Sequence, residues 1–221
     1  MAAGWEAGRG PATLAATMKQ HAGELGDGRD AGDAAAAFMS LALLRRRTVG
    51  AVLPSSQRLA DAMADSAAGC AALIELGAGT GAITAALRRQ HPQVPLIAVE
   101  MEPRLARHLR RRFPGVEVRE ATAHRVLAEA ADAPPGLVLV SSLPFRSLPP
   151  RLRQRSSLAI ERLLCARPDC RLLQYSYLPR EPFALRHAAQ LHWRRLGAVW
   201  GNAPPAWVWE LKARNGAALL P

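Results

Sequence analysis

The chain has 221 residues, of which 49% are hydrophobic, and its 29 lysines and arginines outnumber 18 acidic residues to give a net charge of +11. This length and apolar content allow a buried core, which excludes wholesale disorder and fits one domain with at most an appendage. Three cysteines without a CxxC pair or a Cys/His cluster argue against a disulfide framework and a structural zinc site, so we expect no metal. The charge favours phosphate-bearing partners, either nucleic acid or an anionic membrane face, unless it is a compositional bias of the source.

The first 50 residues predict two segments. Residues 1–32 are rich in glycine and poor in large apolar side chains, which predicts a mobile leader, and they show no secretory signal, which predicts a cytoplasmic protein. Residues 33–50 contain the apolar run Ala34 to Leu44, which is too short for a membrane span of about 20 residues. A helix here would be amphipathic, with cations at its C-terminal end, and would lie on a membrane surface or pack on its own domain. Its predicted membrane-facing residues are Phe38, Leu41, Arg45, Arg46 and Arg47.

Residues 51–221 show alternating strand and helix patterns. The apolar runs predicted as strands are Ala71 to Leu76, Leu96 to Val99, Val116 to Val118, Leu137 to Val140 and Leu172 to Tyr175. The helical patterns between and beside them are Ser56 to Asp65, Ala82 to Gln90, Pro103 to Arg112, Thr122 to Ala131 and Pro150 to Leu164. This alternation predicts an α/β fold with a parallel sheet. Leu191 to Trp200 and Ala206 to Lys212, joined by a turn, predict an antiparallel pair at one sheet edge.

A glycine-rich loop, Glu75 to Gly81, follows the first predicted strand and precedes a helix pattern. Its glycines permit a tight turn with close approach of a ligand, and the next helix offers unpaired N–H groups, so an adenosine-like ligand fits. Gly77, Gly79 and Ala82 also match the dinucleotide pattern G-x-G-x-x-G/A, and Glu100 suits a ribose in either case. The loop alone therefore leaves S-adenosylmethionine and a nicotinamide cofactor both open.

Two features favour S-adenosylmethionine. The Glu75 carboxylate would attract a cationic amino-acid tail, whereas it would repel a pyrophosphate. The segment Ser141 to Phe145 follows the fourth strand, at the sheet edge where ligands of open α/β folds bind. This segment resembles the fourth motif of class I methyltransferases that act on nitrogen. We therefore expect S-adenosylmethionine as cofactor and S-adenosylhomocysteine as product.

The motifs together point to one family. They are Gly50 to Ser56, Glu75 to Gly81, Ala98 to Glu100, Ser141 to Phe145, Tyr175 to Tyr177 and Trp200 to Ala206. From about Ala34 to Lys212 the sequence resembles bacterial phospholipid N-methyltransferases, which methylate phosphatidylethanolamine toward phosphatidylcholine and are related to rRNA adenine dimethylases. The resemblance implies a Rossmann-like class I methyltransferase with a seven-stranded, mostly parallel sheet. It also implies a phospholipid substrate and an N-terminal helix that docks on an anionic membrane surface, the inner face of the cytoplasmic membrane.

The resemblance and the loop positions together give a set of site residues. Those expected to bind the cofactor are Glu75, Gly77, Ala78, Gly79, Thr80, Gly81, Glu100, Met101, Ala121, Thr122, Ala123, Ser141, Ser142 and Leu143. The catalytic candidates are Tyr177, Ser142 and Ser141, and the substrate candidates are Pro144, Phe145 and Arg180. The loop Glu120 to Ala123 departs from the family pattern, because many relatives have an Asp there that binds adenine.

The fourth motif also bears on the substrate. In adenine dimethylases this motif resembles Asn-Leu-Pro-Tyr. The Asn side-chain carbonyl accepts a hydrogen bond from the exocyclic amine of adenine, and the Tyr ring stacks on the base. This chain has Ser142 in place of the Asn and Phe145 in place of the Tyr. Loss of the amide acceptor favours a flexible ethanolamine headgroup and makes nucleic acid an unexpected partner. The alternatives are an rRNA or other nucleic-acid adenine N6-methyltransferase and a non-enzymatic lipid- or nucleic-acid-binding protein of the same fold.

Overall fold

The computed structural model describes residues 54–202 and 205–214. The predicted leader, residues 1–32, and the predicted docking helix, residues 33–50, lie outside these ranges. So do the membrane-facing candidates Phe38, Leu41, Arg45, Arg46 and Arg47. The predicted boundaries of the leader, the docking helix and the methyltransferase domain therefore stay predictions.

Strands and helices alternate along the described chain, as predicted. The strands are β1 (Ala72–Leu76), β2 (Leu96–Val99), β3 (Glu117–Arg119), β4 (Leu137–Ser141), β5 (Arg171–Ser176), β6 (Leu191–Val199) and β7 (Ala206–Ala213). The helices are α1 (Pro54–Ser66), α2 (Ala82–Gln90), α3 (Pro103–Arg112), α4 (Ala123–Ala128) and α5 (Pro150–Ala166).

The predicted helix Thr122 to Ala131 is shorter than expected. Its α-helical part ends at Ala128, and a separate 3-10 helix follows over Ala130–Asp132. The N–H of Glu129 donates to the carbonyls of both Val126 and Leu127, the tightened bonding that ends many helices. The apolar pattern continued through this point, so the sequence did not show where the helix would end.

The strands form one seven-stranded sheet in the order β3-β2-β1-β4-β5-β7-β6. All neighbouring pairs from β3 to β5 are parallel, whereas β7 runs antiparallel to both β5 and β6. The predicted mostly parallel sheet with an antiparallel C-terminal pair is therefore confirmed. The strand order reverses between β1 and β4, and ligands of open α/β sheets bind at such a switch point, outside the carboxyl ends of the strands.

Helices cover both faces of the sheet, so β1, β2 and β4 are buried throughout. On one face α1, α2 and α3 pack through residues such as Met63, Leu87 and Leu109. On the other face α4 and α5 pack through residues such as Leu127 and Ile160. None of the helices in the described ranges is long and apolar enough to cross a membrane.

Gly81 fixes the point where the glycine loop enters α2. Its φ of +84° lies in the left-handed region, which side chains disfavour. A Cβ at this position would stand 2.5 Å from Phe113 Cε2 and 2.8 Å from Leu109 Cδ2, because the loop presses against the end of α3. Gly81 therefore meets two independent demands, one on backbone conformation and one on space.

Gly69 offers a control for separating these demands, since its φ is +77° and nothing lies within 4 Å of a Cβ built there. We expect Gly69→Ala to lower the free energy of unfolding by about 1–2 kcal/mol, the cost of the left-handed conformation. Gly81→Ala should cost about 1–3 kcal/mol more, because the new methyl group overpacks against Phe113 and Leu109. Urea denaturation of the two variants measures the difference, and equal losses would show that space around Gly81 is not limiting.

Candidate functional site

A cavity of about 480 Å³ opens at the switch point, at the carboxyl ends of β1, β4 and β5. Its walls are the glycine loop after β1, the segment 142–147 after β4, and residues 174–178 of β5 and the chain that follows. This volume is in the range of small-molecule sites. A second cavity of about 20 Å³ adjoins it, and Gly77, Glu100 and Leu143 line both.

Most of the predicted cofactor residues meet around these two cavities. The larger is lined by Gly77, Ala78, Gly79, Thr80, Glu100, Ser142 and Leu143. The smaller is lined by Gly77, Glu100, Met101, Ala121, Thr122, Ala123 and Leu143. Three predicted residues, Glu75, Gly81 and Ser141, are absent from both linings. The loops that follow β1, β2 and β4 therefore meet at these two cavities, as the sequence predicted.

Glu100 joins the two loops at the centre of the site. Its Oε2 accepts from the N–H of Gly79 at 2.8 Å, and its Oε1 accepts from the N–H of Glu102 at 2.9 Å. A carboxylate accepts about four hydrogen bonds, so acceptor capacity remains for a hydroxyl donor of a ligand. Burial raises the pKa of Glu100, whose side chain is almost fully enclosed. This arrangement suits the adjacent hydroxyls of a ribose.

Helix α3 supports the same loops. Glu102 caps it, because the Glu102 carboxylate accepts from the N–H groups of Arg104 at 3.0 Å and Leu105 at 2.9 Å. From the last turn of α3, Arg112 Nη1 donates to the carbonyl of Thr80 at 2.8 Å. The glycine loop is therefore bonded to both ends of α3, through Glu100 at the start of the helix and through Arg112 at its end.

The segment after β4 lies directly over the glycine loop. The N–H of Ser142 donates to the carbonyl of Leu76 at 2.9 Å. A Cβ on Gly77 would stand 3.0 Å from Leu143 Cδ2, which shows how closely the two segments approach. Any ligand that follows the glycine loop thus runs beside the Ser142–Leu143 backbone.

The structure corrects the role expected for Glu75. Its side chain is fully buried behind the cavity wall, where Thr84 Oγ1 donates to its Oε2 at 2.6 Å. Its Oε1 has no hydrogen-bond partner within the described ranges. Burial raises the pKa of Glu75 to about 8, so the carboxyl is mainly neutral at pH 7 and does not face a ligand's cationic end. The reason is its position within β1, a strand enclosed on both sides and covered by α2.

Of the three catalytic candidates, Ser142 and Tyr177 line the cavity and Ser141 does not. Ser141 ends β4 with its side chain fully buried, and its Oγ accepts from the N–H of Leu143 at 3.2 Å. Its hydroxyl therefore shapes the segment after β4 from behind. Tyr177 packs edge-on against Tyr175, with ring centroids 5.6 Å apart.

Among the substrate candidates, Pro144 and Phe145 line the cavity and Arg180 does not. Phe145 is only 3% exposed, and its ring lies 4.5 Å from that of Phe183. Phe183 in turn meets Trp193 edge-on at 5.1 Å. The ring of Phe145 is therefore part of an aromatic cluster that backs the cavity wall. Arg180 is exposed beyond the end of β5.

Sequence reasoning missed several polar cavity residues, among them Gln174 and Arg146. Gln174 interrupts the apolar run of β5, and a polar side chain at a buried strand position was a visible signal. Arg146 directly follows the fourth motif. It also missed Leu59 and Ala60, which bring α1 into the wall, and these carry no signal beyond an ordinary apolar helix face.

No protein-family model matches this sequence, and no curated protein matches it. Several solved structures are similar to this chain. A TehB-like SAM-dependent methyltransferase from Corynebacterium glutamicum is 15% identical, with 81% of this chain and 99% of that chain covered at a TM-score of 0.53. The 23S rRNA methyltransferase ErmE is 18% identical, with 74% and 70% covered at a TM-score of 0.46. A dimethyladenosine transferase from Plasmodium falciparum is 16% identical, with 71% and 61% covered at a TM-score of 0.46.

At these identities the likeness concerns the fold. The first of these structures establishes that the chain has the α/β fold of SAM-dependent methyltransferases, which the sequence predicted.

The buried carboxyl of Glu75 predicts a pH dependence of stability. The folded chain keeps a proton up to about pH 8, whereas the unfolded chain releases it near pH 4.5. Stability must then fall as pH rises between these values, by up to about 1.4 kcal/mol per pH unit from this one group. Glu75→Gln keeps a partner for Thr84 and removes the titration, so it should flatten that slope.

Urea denaturation of the wild type and Glu75→Gln at several pH values from 5 to 8 measures the effect. The difference between the two proteins isolates Glu75 from histidines that titrate in the same interval. Parallel stability curves for the two proteins would contradict a raised pKa at this position.

Proposed function

We propose that this chain binds S-adenosylmethionine and methylates the headgroup amine of phosphatidylethanolamine, in successive steps toward phosphatidylcholine. The observation that carries the proposal is a single cavity shared by the glycine loop and the Ser142–Phe145 segment, with Arg146 in its wall. The glycine loop suits the methyl donor, the Ser142–Phe145 segment suits an amine, and Arg146 suits a phosphate next to that amine.

The residues present fit the methyl donor. Glu100 keeps acceptor capacity for ribose hydroxyls, and the loop backbone is open at Gly79, where a Cβ would meet nothing nearer than 4.0 Å. Met101 and Ala121 to Ala123 line the smaller cavity, which adjoins the larger one at Glu100. When bound, S-adenosylmethionine supplies a sulfonium methyl group, which the amine lone pair takes as the carbon–sulfur bond breaks with its electrons staying on sulfur, leaving S-adenosylhomocysteine.

The chain's own contribution is to present a neutral amine in line with that methyl group. A headgroup amine resembles Lys, with a pKa of about 10, so it must lose a proton before it can attack. The apolar wall formed by Leu143 and Pro144 disfavours the charged amine and so promotes this loss. The Tyr177 hydroxyl and Ser142 Oγ are the groups proposed to orient the amine and pass its proton to water.

Two arginines support a phosphate beside the amine. Arg146 lines the cavity, and burial together with the nearby charge of Arg180 lowers the pKa of Arg146. A shared anion relieves the repulsion between two neighbouring cations, and guanidinium groups bind phosphate well. Leu178, also in the wall, is 38% exposed and offers apolar surface at the same opening. A phosphate next to apolar groups matches the chemistry of a phospholipid.

We also propose that the protein works from the inner face of the cytoplasmic membrane, bound to its anionic surface. The net charge of +11 supports this, since it favours association with an anionic surface. Residues 33–50 would add an amphipathic contact. Sedimentation with anionic vesicles, weakened by added salt, tests this part of the proposal, and a protein that stays in the supernatant contradicts it.

An adenine N6-methyltransferase is the second candidate. The observation that favours it is Gln174, an amide that lies against Leu143 in the cavity wall and could serve a planar amine. A methylation assay that offers lipid and nucleic acid in parallel separates the two functions.

Purified protein with radiolabelled S-adenosylmethionine should transfer label to phosphatidylethanolamine vesicles. Phosphatidylcholine vesicles are the control, because a quaternary ammonium has no lone pair and should stay unlabelled. RNA and DNA are offered in parallel reactions. Label in nucleic acid and none in lipid would select the second candidate, and label in neither would contradict both.

A further inference from the structure

The cavity wall contains a buried amide whose acceptor is unused. Gln174 is only 2% exposed and lines the larger cavity. Its Nε2 donates to the carbonyl of Leu143 at 3.2 Å and to that of Tyr175 at 2.9 Å. Its Oε1 is buried without a hydrogen-bond partner in the part of the chain that the structure describes. A buried polar atom left unpaired is costly, and such atoms call for an explanation.

The orientation of this amide follows from its neighbours. Two carbonyl oxygens face one end of the Gln174 amide, so that end must be the nitrogen, which has two N–H donors. Exchanging nitrogen and oxygen would set the amide oxygen against two other oxygens. The unused atom is therefore an acceptor, and only a donor can satisfy it.

The amide lies beside the segment in which Ser142 replaces the amide acceptor of adenine dimethylases. In the pairing of β4 with β5, Gln174 stands beside Ser141, next to the start of the Ser142–Phe145 segment. Ser142 lacks the amide of the Asn that adenine dimethylases have in the motif that this segment resembles. The neighbouring strand brings an amide to this segment from a position 32 residues further along the chain.

We propose that Gln174 Oε1 accepts a hydrogen bond from an N–H of the amine that is methylated. This rests on the proposed function, in that the acceptor substrate is an amine. In this role Gln174 holds the amine so that its lone pair points toward the methyl group, while Nε2 stays anchored to the backbone. The substrate N–H is the donor that the buried Oε1 lacks.

The role depends on how many methyl groups the amine already carries. A neutral primary amine has two N–H groups, a monomethylamine has one, and a dimethylamine has none. Gln174 can therefore assist the first and second methylations but not the third. A purely structural role, in which Gln174 only holds Leu143 and Tyr175, would affect all three steps alike.

One neighbour provides an alternative donor. Trp209 stands opposite Gln174 in the β5–β7 pairing, and its indole N–H also has no partner among the residues described. If a small movement joined these two groups, Gln174 would be satisfied within the sheet. Trp209→Phe removes that donor and so tests this alternative directly.

The experiment measures methylation rates with saturating phosphatidylethanolamine and with its monomethyl and dimethyl forms. Gln174→Met should lower the first two rates about 5-fold or more, the effect of one lost hydrogen bond, and change the third less than 2-fold. Gln190→Met, the same change at an exposed glutamine, and Trp209→Phe should leave the pattern over the three lipids unchanged.

An equal loss on all three lipids, or no loss on any, would overturn the role of Gln174. So would a Trp209→Phe variant that reproduces the Gln174→Met pattern. If the wild type labels adenine instead of lipid, the lipid proposal fails, and Gln174 is tested on the adenine amine, where Gln174→Met should lose activity and Gln190→Met should not. A wild type that labels no amine overturns both proposals.

Discussion

The site depends on the carboxylate of Glu100, which ties together two loops from different strands. By accepting from Gly79 and Glu102, it fixes the glycine loop after β1 against the start of α3. Glu102 then caps α3, and Arg112 at the far end of that helix holds Thr80. These bonds hold the two loops together at the wall of the larger cavity. Because the carboxylate still has unused acceptor sites, it can hold the loops and bind hydroxyl groups at once.

The fold was predictable because strongly apolar strands and amphipathic helices alternate along this sequence. Fully buried strands such as Leu137 to Ser141 are recognised from composition alone, and the turn before Ala206 marks the antiparallel pair. The placement of the glycine loop was predictable for the same reason, since it follows a buried strand. The end of α4 was misjudged, because the apolar pattern continues past the last α-helical turn.

The detailed roles within the site were less predictable, because they depend on which side chains become enclosed. Glu75 was expected to face a ligand, but the sheet and α2 enclose it, and burial makes it mainly neutral at pH 7. Gln174 was overlooked because its neighbour in space, Ser141, is distant in sequence. Strand order and register decide both outcomes. A glycine motif indicates the class of ligand, whereas the roles of Glu75 and Gln174 follow only from the assembled sheet.

The central claim is that the Glu100 carboxylate and the glycine loop together bind S-adenosylmethionine. Calorimetric titration of this compound into the wild type, Glu100→Ala and Asp65→Ala tests it most directly, since Asp65 is an exposed carboxylate on α1. We expect binding by the wild type and by Asp65→Ala with equal affinity, and at least a roughly 10-fold loss for a folded Glu100→Ala protein. Absence of binding by the wild type, or unchanged affinity in Glu100→Ala, would contradict the claim.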